Sequence, residues 1–411
     1  MKNHDRKVLR ELVRKYLEIC QQPVQEERRR LWRAKNSLKQ TRPLILVSFG
    51  MHNVWCRKLF GDRNLFCQQE FFRGWERQLR MFLFHWEIGD DWIAEPWLAL
   101  PAVRAKNEWG NLWGLPIRME PPPQEGGAGK YDPPLKDWEM MKQLKVPHHL
   151  IDEEATKGYL YQLEEAIGDL LPVRVNRSPV CLGFSMDIST HLGRLRGHQQ
   201  IMLDMYDAPE KLHQLLAFMR DGILTNQQEA EEAGDITLLS HTNQAMAYCE
   251  ELEDPAIDSG PRKRKDIWGY CAAQEYTLIS PAMHDEFLLQ YQLPILKKFG
   301  LTAYGCCENL TEKIMMLRQV PNLRIIAVTP SANVHRCAEQ IGQDYVLSWR
   351  PNPADMVGYG FDPGRIRRII KEAMGSLRHS HTIIVLKDIE TVQGEPERLK
   401  KWVKLVQEAV L

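Results

Sequence analysis

The sequence lacks three features that would place it in a specialised class of protein. It has no surplus of one charge, because Lys and Arg together number 54 and Asp and Glu also number 54. It has no apolar run near the length of about 18 residues that a membrane helix needs, and no signal-peptide core. Its nine cysteines are an odd number, scattered along the chain, which does not suit a disulfide framework. These absences argue against nucleic-acid and membrane partners and predict a cytoplasmic protein.

The composition of the chain is that of an ordinary globular enzyme. Hydrophobic residues make up 44% and charged residues 26% of the 411 positions, which is enough to bury a large core. Residues 5–39 are strongly charged and carry an apolar stripe at helical spacing. We therefore divide the chain into an N-terminal helical extension, residues 1–40, and a body, residues 41–411. We expect the extension to pack outside the strands of the body.

The body alternates short apolar runs with amphipathic stretches, among them helices predicted at 334–341 and 363–377. Four strands are expected in the C-terminal part, at 301–305, 323–328, 345–349 and 382–386. Four earlier runs bring the total to about eight, at 44–49, 92–98, 180–186 and 236–239. Successive strand–helix units require a parallel sheet, and eight of them favour a closed ring. The predicted fold class is therefore α/β, a TIM (β/α)8 barrel with an N-terminal helical extension.

A stretch rich in proline and glycine, residues 115–135, interrupts this alternation. Such a composition resists regular structure. We expect a long loop that lies over the mouth of the barrel and is more mobile than its flanks.

The active site of a β/α barrel lies at the carboxyl ends of its strands, so the residues that follow each predicted strand are the candidates. The later strand ends also carry Ser331, Asn333, Arg350 and Asn352. Each histidine has an alternative role as a structural residue, and each tryptophan as a core residue. The predicted substrate-binding residues are His52, Trp55, Glu95, His241, Asn243, Trp268 and Tyr304.

The run Cys306-Cys307-Glu308 is the strongest single signal in the sequence. Thiolates and a carboxylate at a strand end could hold a zinc ion with one open position, which would activate a sulfur or oxygen group. We therefore predict Cys306, Cys307 and Glu308 as metal ligands. The alternative is that the thiols are small buried hydrophobic groups.

Four acidic or basic residues are the predicted catalytic groups: Glu308, Asp187, Lys387 and Asp388. Lys387 and Asp388, at the last strand end, could supply a ligand or a general acid or base, or form a structural ion pair. Asp187 follows an apolar run and is either a substrate anchor or the N-cap of the next helix.

Several segments resemble the uroporphyrinogen-decarboxylase superfamily, which includes cobalamin-dependent methyltransferases. The segment Leu278-Ile279-Ser280-Pro281-Ala282-Met283 is similar to the start of one helix of that superfamily. The strand end at 304–309, Val320-Pro321-Asn322-Leu323 and Pro351-Asn352-Pro353 follow in the family order. The resemblance covers about residues 41–411 and is specific in the C-terminal half.

Two departures from the family pattern narrow the interpretation. The arginine-rich signature of the porphyrinogen decarboxylases is missing after residues 42–46. The methyltransferase branch has a His-x-Cys-Gly zinc motif where this chain has Cys306 and Cys307 without a histidine. The resemblance then implies that another strand end completes the zinc site, with Asp388, Glu390 and His241 as candidates in that order.

The resemblance implies a zinc-assisted methyltransferase that moves a methyl group between a small methylated substrate and a corrinoid protein. Cobalamin would be carried by that partner, because the chain has no corrinoid-binding loop of its own. Two alternatives stay open, a cofactor-free decarboxylase of a small carboxylate and a non-catalytic binding subunit. A homo-oligomer is also possible.

Overall fold

The computed structural model describes residues 3–104, 111–124, 129–240 and 244–410. Within them the chain is an α/β protein whose strands are mostly parallel. The strands are β1 (Leu44–Val47), β2 (Leu98–Pro101), β3 (Arg118–Glu120), β4 (Lys130–Asp132), β5 (Val173–Asn176), β6 (Trp268–Cys271), β7 (Leu301–Tyr304), β8 (Leu323–Val328), β9 (Val346–Trp349) and β10 (His381–Leu386).

Helices precede, separate and follow these strands. They are α1 (Asn3–Cys20), α2 (Val24–Asn36), α3 (Val54–Phe60), α4 (Glu70–Ile88), α5 (Glu153–Ile167), α6 (Ile188–Arg196), α7 (His198–Asp207), α8 (Pro209–Glu232), α9 (Pro281–His284), α10 (Gln290–Leu296), α11 (Ile314–Leu317), α12 (Val334–Ile341), α13 (Pro353–Met356), α14 (Pro363–Leu377) and α15 (Glu397–Val410). A π-helical turn, Asp285–Leu289, joins α9 to α10. None of the described helices is long and apolar enough to cross a membrane.

The strands form three hydrogen-bonded groups. Six parallel strands make one sheet in the order β1-β10-β9-β8-β7-β6, and β2 pairs with β5 in a second parallel sheet. β3 and β4 form an antiparallel hairpin. Among the described residues, no strand pairing joins the six-stranded sheet to the two-stranded one. The expected α/β class with parallel strands is confirmed, whereas the closed ring of the barrel is not shown.

The six-stranded sheet is buried on both faces, and its side chains alternate between two cores. On β1, Leu44 and Leu46 belong to one apolar cluster, while Ile45 and Val47 belong to another. The first cluster also takes in Trp268 and defines what we call the inner face. The second lies between the sheet and the surrounding helices and defines the outer face. This alternation follows from the two-residue repeat of a strand.

The free edge of β1 is covered by two carboxylates instead of a strand. The backbone N–H of Ile45 donates to Oδ2 of Asp91 at 2.8 Å, and that of Val47 to Oδ2 of Asp90 at 2.7 Å. The guanidinium of Arg42 pairs with Asp91 at 2.6 Å. A buried backbone N–H must find an acceptor, so these carboxylates satisfy the edge of β1 in place of a neighbouring strand.

The N-terminal extension, predicted as one charged helical stretch, is two helices that meet near Pro23. α1 packs on α4 and α5, and these helices share a third apolar cluster with β2 and β5. α2 is tied to the body, since the indole of Trp32 donates to the backbone oxygen of Asp91 at 2.7 Å. The division into an extension and a body stays a prediction.

Three predicted strands are misplaced. The strand expected at 92–98 begins only at Leu98, because the preceding residues cover the edge of β1. The run at 180–186 contains a 3-10 turn, Gly183–Met186, and the strand lies earlier, at β5. The run at 236–239 ends in another 3-10 turn, Leu238–Ser240, and is no strand. β6 takes its place in the parallel sheet.

The stretch at 115–135 contains regular structure, contrary to expectation. β3 and β4 lie in it as an exposed hairpin, and the N–H of Leu135 donates to the backbone oxygen of Leu195 at 2.9 Å. The guanidinium of Arg194 lies over the ring of Tyr131 at 5.3 Å. These contacts seat the described part of the stretch on α6, and its greater mobility stays a prediction.

Candidate functional site

The two adjacent cysteines follow β7 through a turn that requires glycine. Gly305 has a φ of 100°, a conformation that side chains other than hydrogen disfavour. A Cβ at Gly305 would lie 2.7 Å from Cδ1 of Leu310 and 3.0 Å from Cβ of Ala327. The turn leaves Cys306 buried and Cys307 exposed, and Cys307 is the one exposed residue among the nine cysteines.

The carboxylate of Glu308 fixes the backbone of this turn. Its Oε1 accepts a hydrogen bond from the N–H of Ala273 at 2.8 Å, and its Oε2 accepts one from the N–H of Cys306 at 2.8 Å. Burial raises the pKa of Glu308, although these N–H groups oppose the rise. Both oxygens are therefore engaged with backbone, and the structure gives Glu308 a positioning geometry. Its predicted roles as ligand and catalytic acid or base stay predictions.

The ammonium of Lys387 lies among the thiols and the carboxylate that follow the strand ends. Its Nζ is 3.2 Å from Sγ of Cys306, 3.5 Å from Sγ of Cys307 and 3.2 Å from Oδ2 of Asp388. The two sulfurs are 3.5 Å apart, and Sγ of Cys307 is 3.6 Å from Oδ2 of Asp388. The structure thus brings four predicted site residues, Cys306, Cys307, Lys387 and Asp388, into one cluster.

This arrangement favours one thiolate in the cysteine pair. The hydrogen bond from Cys307 lowers the pKa of Cys306, and Lys387 and Arg350 lower it further against the effect of burial. The same hydrogen bond, together with partial desolvation of the thiol and the charge of Cys306, raises the pKa of Cys307. Burial and Arg350 act to lower the pKa of Lys387, but Cys306, Asp388 and Cys307 together raise it. A thiolate on Cys306 beside an ammonium on Lys387 is the favoured state.

Arg350 supports the turn from the inner face of the sheet. It donates to the backbone oxygen of Cys306 and to Oε1 of Gln244. Nε2 of Gln244 in turn donates to the hydroxyl of Tyr270 at 2.6 Å. Gln244 gives no signal in the sequence, because its position here depends on the long connection between α8 and β6.

A cavity of about 280 Å³ opens beside this cluster. It is lined by residues that follow four strands of the six-stranded sheet: Cys306, Cys307, Pro330, Ser331, Arg350, Pro351, Pro353, Lys387 and Asp388. Because parallel strands bring their carboxyl ends to one edge, residues from distant parts of the chain meet here. We refer to it as the cysteine cavity.

The described residues do not fit a zinc ion as they stand. No group of three or more His, Cys, Asp or Glu side chains within them is arranged to hold a metal ion. The ammonium of Lys387 already provides the positive charge between Cys306, Cys307 and Asp388. A zinc ion bound by these three groups would have to displace it.

Asp187 lies outside the cysteine cavity as the N-cap of α6. Its carboxylate accepts hydrogen bonds from the N–H groups of Ser189 and Thr190, both at 3.1 Å. The hydroxyl of Ser189 bridges it to Glu275 at 2.8 and 2.7 Å. Burial, and then the charge of Glu275, raises the pKa of Asp187. Of the two roles proposed from the sequence, the structure shows the cap, and a catalytic role stays a prediction.

Four of the predicted substrate-binding residues are absent from the lining of the cysteine cavity. His52 is exposed, and the indole of buried Trp55 donates to the backbone oxygen of Ile389 at 2.9 Å. Trp268 begins β6 on the inner face and donates to the backbone oxygen of Ala247 at 2.8 Å. Tyr304 is on the outer face. None of these positions tests a binding role.

The other three predicted binding residues lie elsewhere. Glu95 precedes β2, so it stands at the start of that strand and not at its carboxyl end. Burial raises the pKa of Glu95. His241 and Asn243 lie outside the described residues, as does any contribution they make to the site.

Comparison with known proteins supports the fold of this chain. The chain is similar to the solved structure of a methyltransferase from Methanosarcina mazei, with a TM-score of 0.54 and 14% sequence identity. The match covers 93% of this chain and 98% of the other. At this identity the likeness shows a shared fold. No protein-family model and no curated protein matches the sequence.

Proposed function

We propose that this chain is a methyltransferase that moves a methyl group between a small methylated substrate and a corrinoid protein, with the cysteine cavity as its site. The observation that carries the proposal is the 3.2 Å contact between Nζ of Lys387 and Sγ of Cys306. A thiolate is a strong nucleophile, and a cation beside it keeps it ionised at neutral pH. The shared fold with a methanogen methyltransferase supports the same reaction class.

The proposed chemistry uses Cys306 as a methyl relay. The thiolate attacks the methyl carbon of the donor, a sulfur–carbon bond forms, and the donor group leaves with the electron pair of the broken bond. The methyl group would then pass from the sulfur to the corrinoid of the partner, which would supply the accepting nucleophile, and Cys306 would leave as a thiolate. Lys387 stabilises that thiolate at both stages, because its ammonium stays within 3.2 Å of the sulfur.

We further propose that the six-stranded and two-stranded sheets together form the barrel of the uroporphyrinogen-decarboxylase superfamily. Six plus two parallel strands give the eight that this fold requires. The position of the cysteine turn after β7 supports the proposal, since the methyltransferase branch has its metal motif at the corresponding strand end.

The test mixes the purified protein with cob(I)alamin and isotopically labelled methyl thioethers, methylated amines or methyl ethers. Methylcobalamin formation, measured by absorbance, is the expected result with one of these donor classes. Cys306→Ser should abolish it, whereas Cys337→Ser, a change at another buried cysteine, should leave it intact. Equal activity in Cys306→Ser and wild type would contradict the relay. Release of carbon dioxide from a small carboxylate would instead support the decarboxylase alternative.

A separate measurement tests whether the protein binds the zinc ion predicted from the sequence. Metal analysis of the purified protein should find close to one zinc per chain if the prediction holds, and Cys307→Ala should lose it. Full activity after exhaustive chelation, with no metal detected, would contradict a role for zinc and leave the Lys387-supported thiolate as the reacting group.

A further inference from the structure

A second cavity, of about 370 Å³, lies where the segment before β2 meets α1, α4 and residues 245–248. It shares no lining residue with the cysteine cavity. Its volume falls in the range of small-molecule sites. We refer to it as the aromatic cavity.

Aromatic side chains from four parts of the chain line this cavity: Tyr16, Phe82, Trp92, Trp97 and Tyr248. Several of these rings pack against one another. The rings of Tyr16 and Phe82 are stacked with centroids 5.2 Å apart, and those of Phe82 and Trp92 are 5.6 Å apart. The face of an aromatic ring carries negative potential and attracts cations.

Glu95 is the one charged side chain among the described residues that line the aromatic cavity. Its Oε1 accepts from the hydroxyl of Tyr248 at 2.5 Å, and its Oε2 from Nη2 of Arg29 at 3.3 Å. Arg29 is not part of the lining, but it forms an ion pair with Glu95 and its guanidinium lies over the ring of Tyr248 at 5.9 Å, so a bound cation would share this carboxylate with it. A carboxylate has about four acceptor positions, so Glu95 can accept further hydrogen bonds from a ligand.

The backbone of Glu95 is also fixed. The hydroxyl of Tyr16 donates to its carbonyl oxygen at 2.9 Å, and Sγ of Cys20 lies 3.5 Å from the same oxygen. Glu95 is therefore hydrogen-bonded to two aromatic walls before any ligand enters, through its carboxylate to Tyr248 and through its backbone oxygen to Tyr16. Such a site loses little freedom on binding.

We propose that the aromatic cavity binds an organic cation with an alkylated ammonium group. Several aromatic rings, with the carboxylate of Glu95 beside them, favour a positive ligand. The apolar remainder, which includes Leu98, Leu238 and Met246, suits the alkyl groups of such a cation. This inference does not depend on the methyltransferase proposal.

Isothermal titration calorimetry with tetramethylammonium chloride tests the proposal, with tert-butyl alcohol as a neutral probe of similar shape. We expect one site per chain and an affinity for tetramethylammonium at least about tenfold higher than for the alcohol, as expected for a desolvated cation–π contact. Equal affinities for the two probes, or no binding of tetramethylammonium, would overturn the proposal.

Two variants place the binding in this cavity. Glu95→Gln keeps the shape of the side chain and removes its charge, and should weaken tetramethylammonium binding about tenfold. Glu18→Gln, at an exposed carboxylate of α1, is the matched control and should bind as wild type does. If Glu95→Gln fails to fold, as judged by circular dichroism, Trp97→Leu carries the test. Unchanged binding in the folded variant would show that the cation binds elsewhere and contradict the proposal.

Discussion

The cysteine cavity and the aromatic cavity each hold an acidic side chain, but the walls around that side chain differ. In the first, the thiolate on Cys306 is stabilised by the hydrogen bond from Cys307, by the ammonium of Lys387 at 3.2 Å and by Arg350. In the second, the carboxylate of Glu95 is bound by the hydroxyl of Tyr248 and by Arg29, and rings from several elements line the cavity beside it. Removing a charged neighbour should therefore shift the ionisation of Cys306, whereas removing one aromatic wall of the second cavity should weaken ligand binding without abolishing it.

The largest expected effect concerns the shape of the cysteine cavity. Glu308→Ala removes the acceptor of two buried backbone N–H groups, those of Ala273 and Cys306. Leaving buried donors unpaired should lower the free energy of unfolding by about 3 kcal/mol. Urea unfolding measures the loss.

Glu308→Gln separates this structural effect from chemistry. The amide keeps one oxygen acceptor, so the expected loss of stability is roughly half as large. Glu390→Ala, at an exposed acidic residue, serves as the control with no measurable loss. A stable Glu308→Ala protein that has lost methyl transfer would instead favour the catalytic role predicted for Glu308.

The next effect concerns the charge of the cysteine cavity. The thiolate of Cys306 predominates above its pKa, which the structure lowers with the help of Lys387. Lys387→Met removes that help, so the pKa should rise and the reactive range should move to higher pH. At mildly acid pH the rate of alkylation by iodoacetamide should fall about tenfold, which corresponds to roughly one pKa unit.

Fragment mass spectrometry assigns the alkylation to Cys306 or Cys307. Lys142→Met, at an exposed lysine paired with Glu139, is the matched control and should react like wild type. A pH profile that does not move in Lys387→Met would show that the hydrogen bond within the cysteine pair is sufficient to keep Cys306 ionised.

The smallest effect is expected at Asp187, which lies in neither cavity. Asparagine is as good an N-cap as aspartate, and burial already raises the pKa of Asp187 towards the neutral form. Asp187→Asn should therefore change the free energy of unfolding little, whereas Asp187→Ala should cost about 1 kcal/mol. Loss of methyl transfer in a stable Asp187→Asn protein would support the catalytic role predicted for Asp187.

Elements with local signals could be predicted closely from the sequence. α12 occupies residues 334–341 as expected, because Asn333 accepts from the N–H of Arg336 and Gly342 ends the helix. α14 also has its expected bounds, with Asp362 as its cap. The strand ends that carry Cys306 and Lys387 follow from the same regular alternation. Their proximity follows from the parallel order of the strands.

Features that depend on distant contacts could not be predicted. The apolar run at 180–186 has the composition of a strand, yet Cys181 is bound through its backbone to Asn226 and Gln227 of α8. The position of Glu308 directly after the two cysteines predicts a metal ligand. After the turn at Gly305, its carboxylate instead accepts a hydrogen bond from the backbone N–H of Cys306. The placement of Glu95 before β2 depends on where the edge of β1 is covered.

That covered edge has a consequence for the association of this protein with other chains. An uncovered strand edge offers N–H and C=O groups to any extended peptide and invites edge-to-edge aggregation. On β1, the side chains of Asp90 and Asp91 occupy the N–H groups of Val47 and Ile45 and place two carboxylates along the border. An incoming strand would have to displace both carboxylates. The six-stranded sheet can therefore end at β1 without a row of unpaired backbone N–H groups. The two carboxylates at this edge disfavour pairing with a strand of another chain.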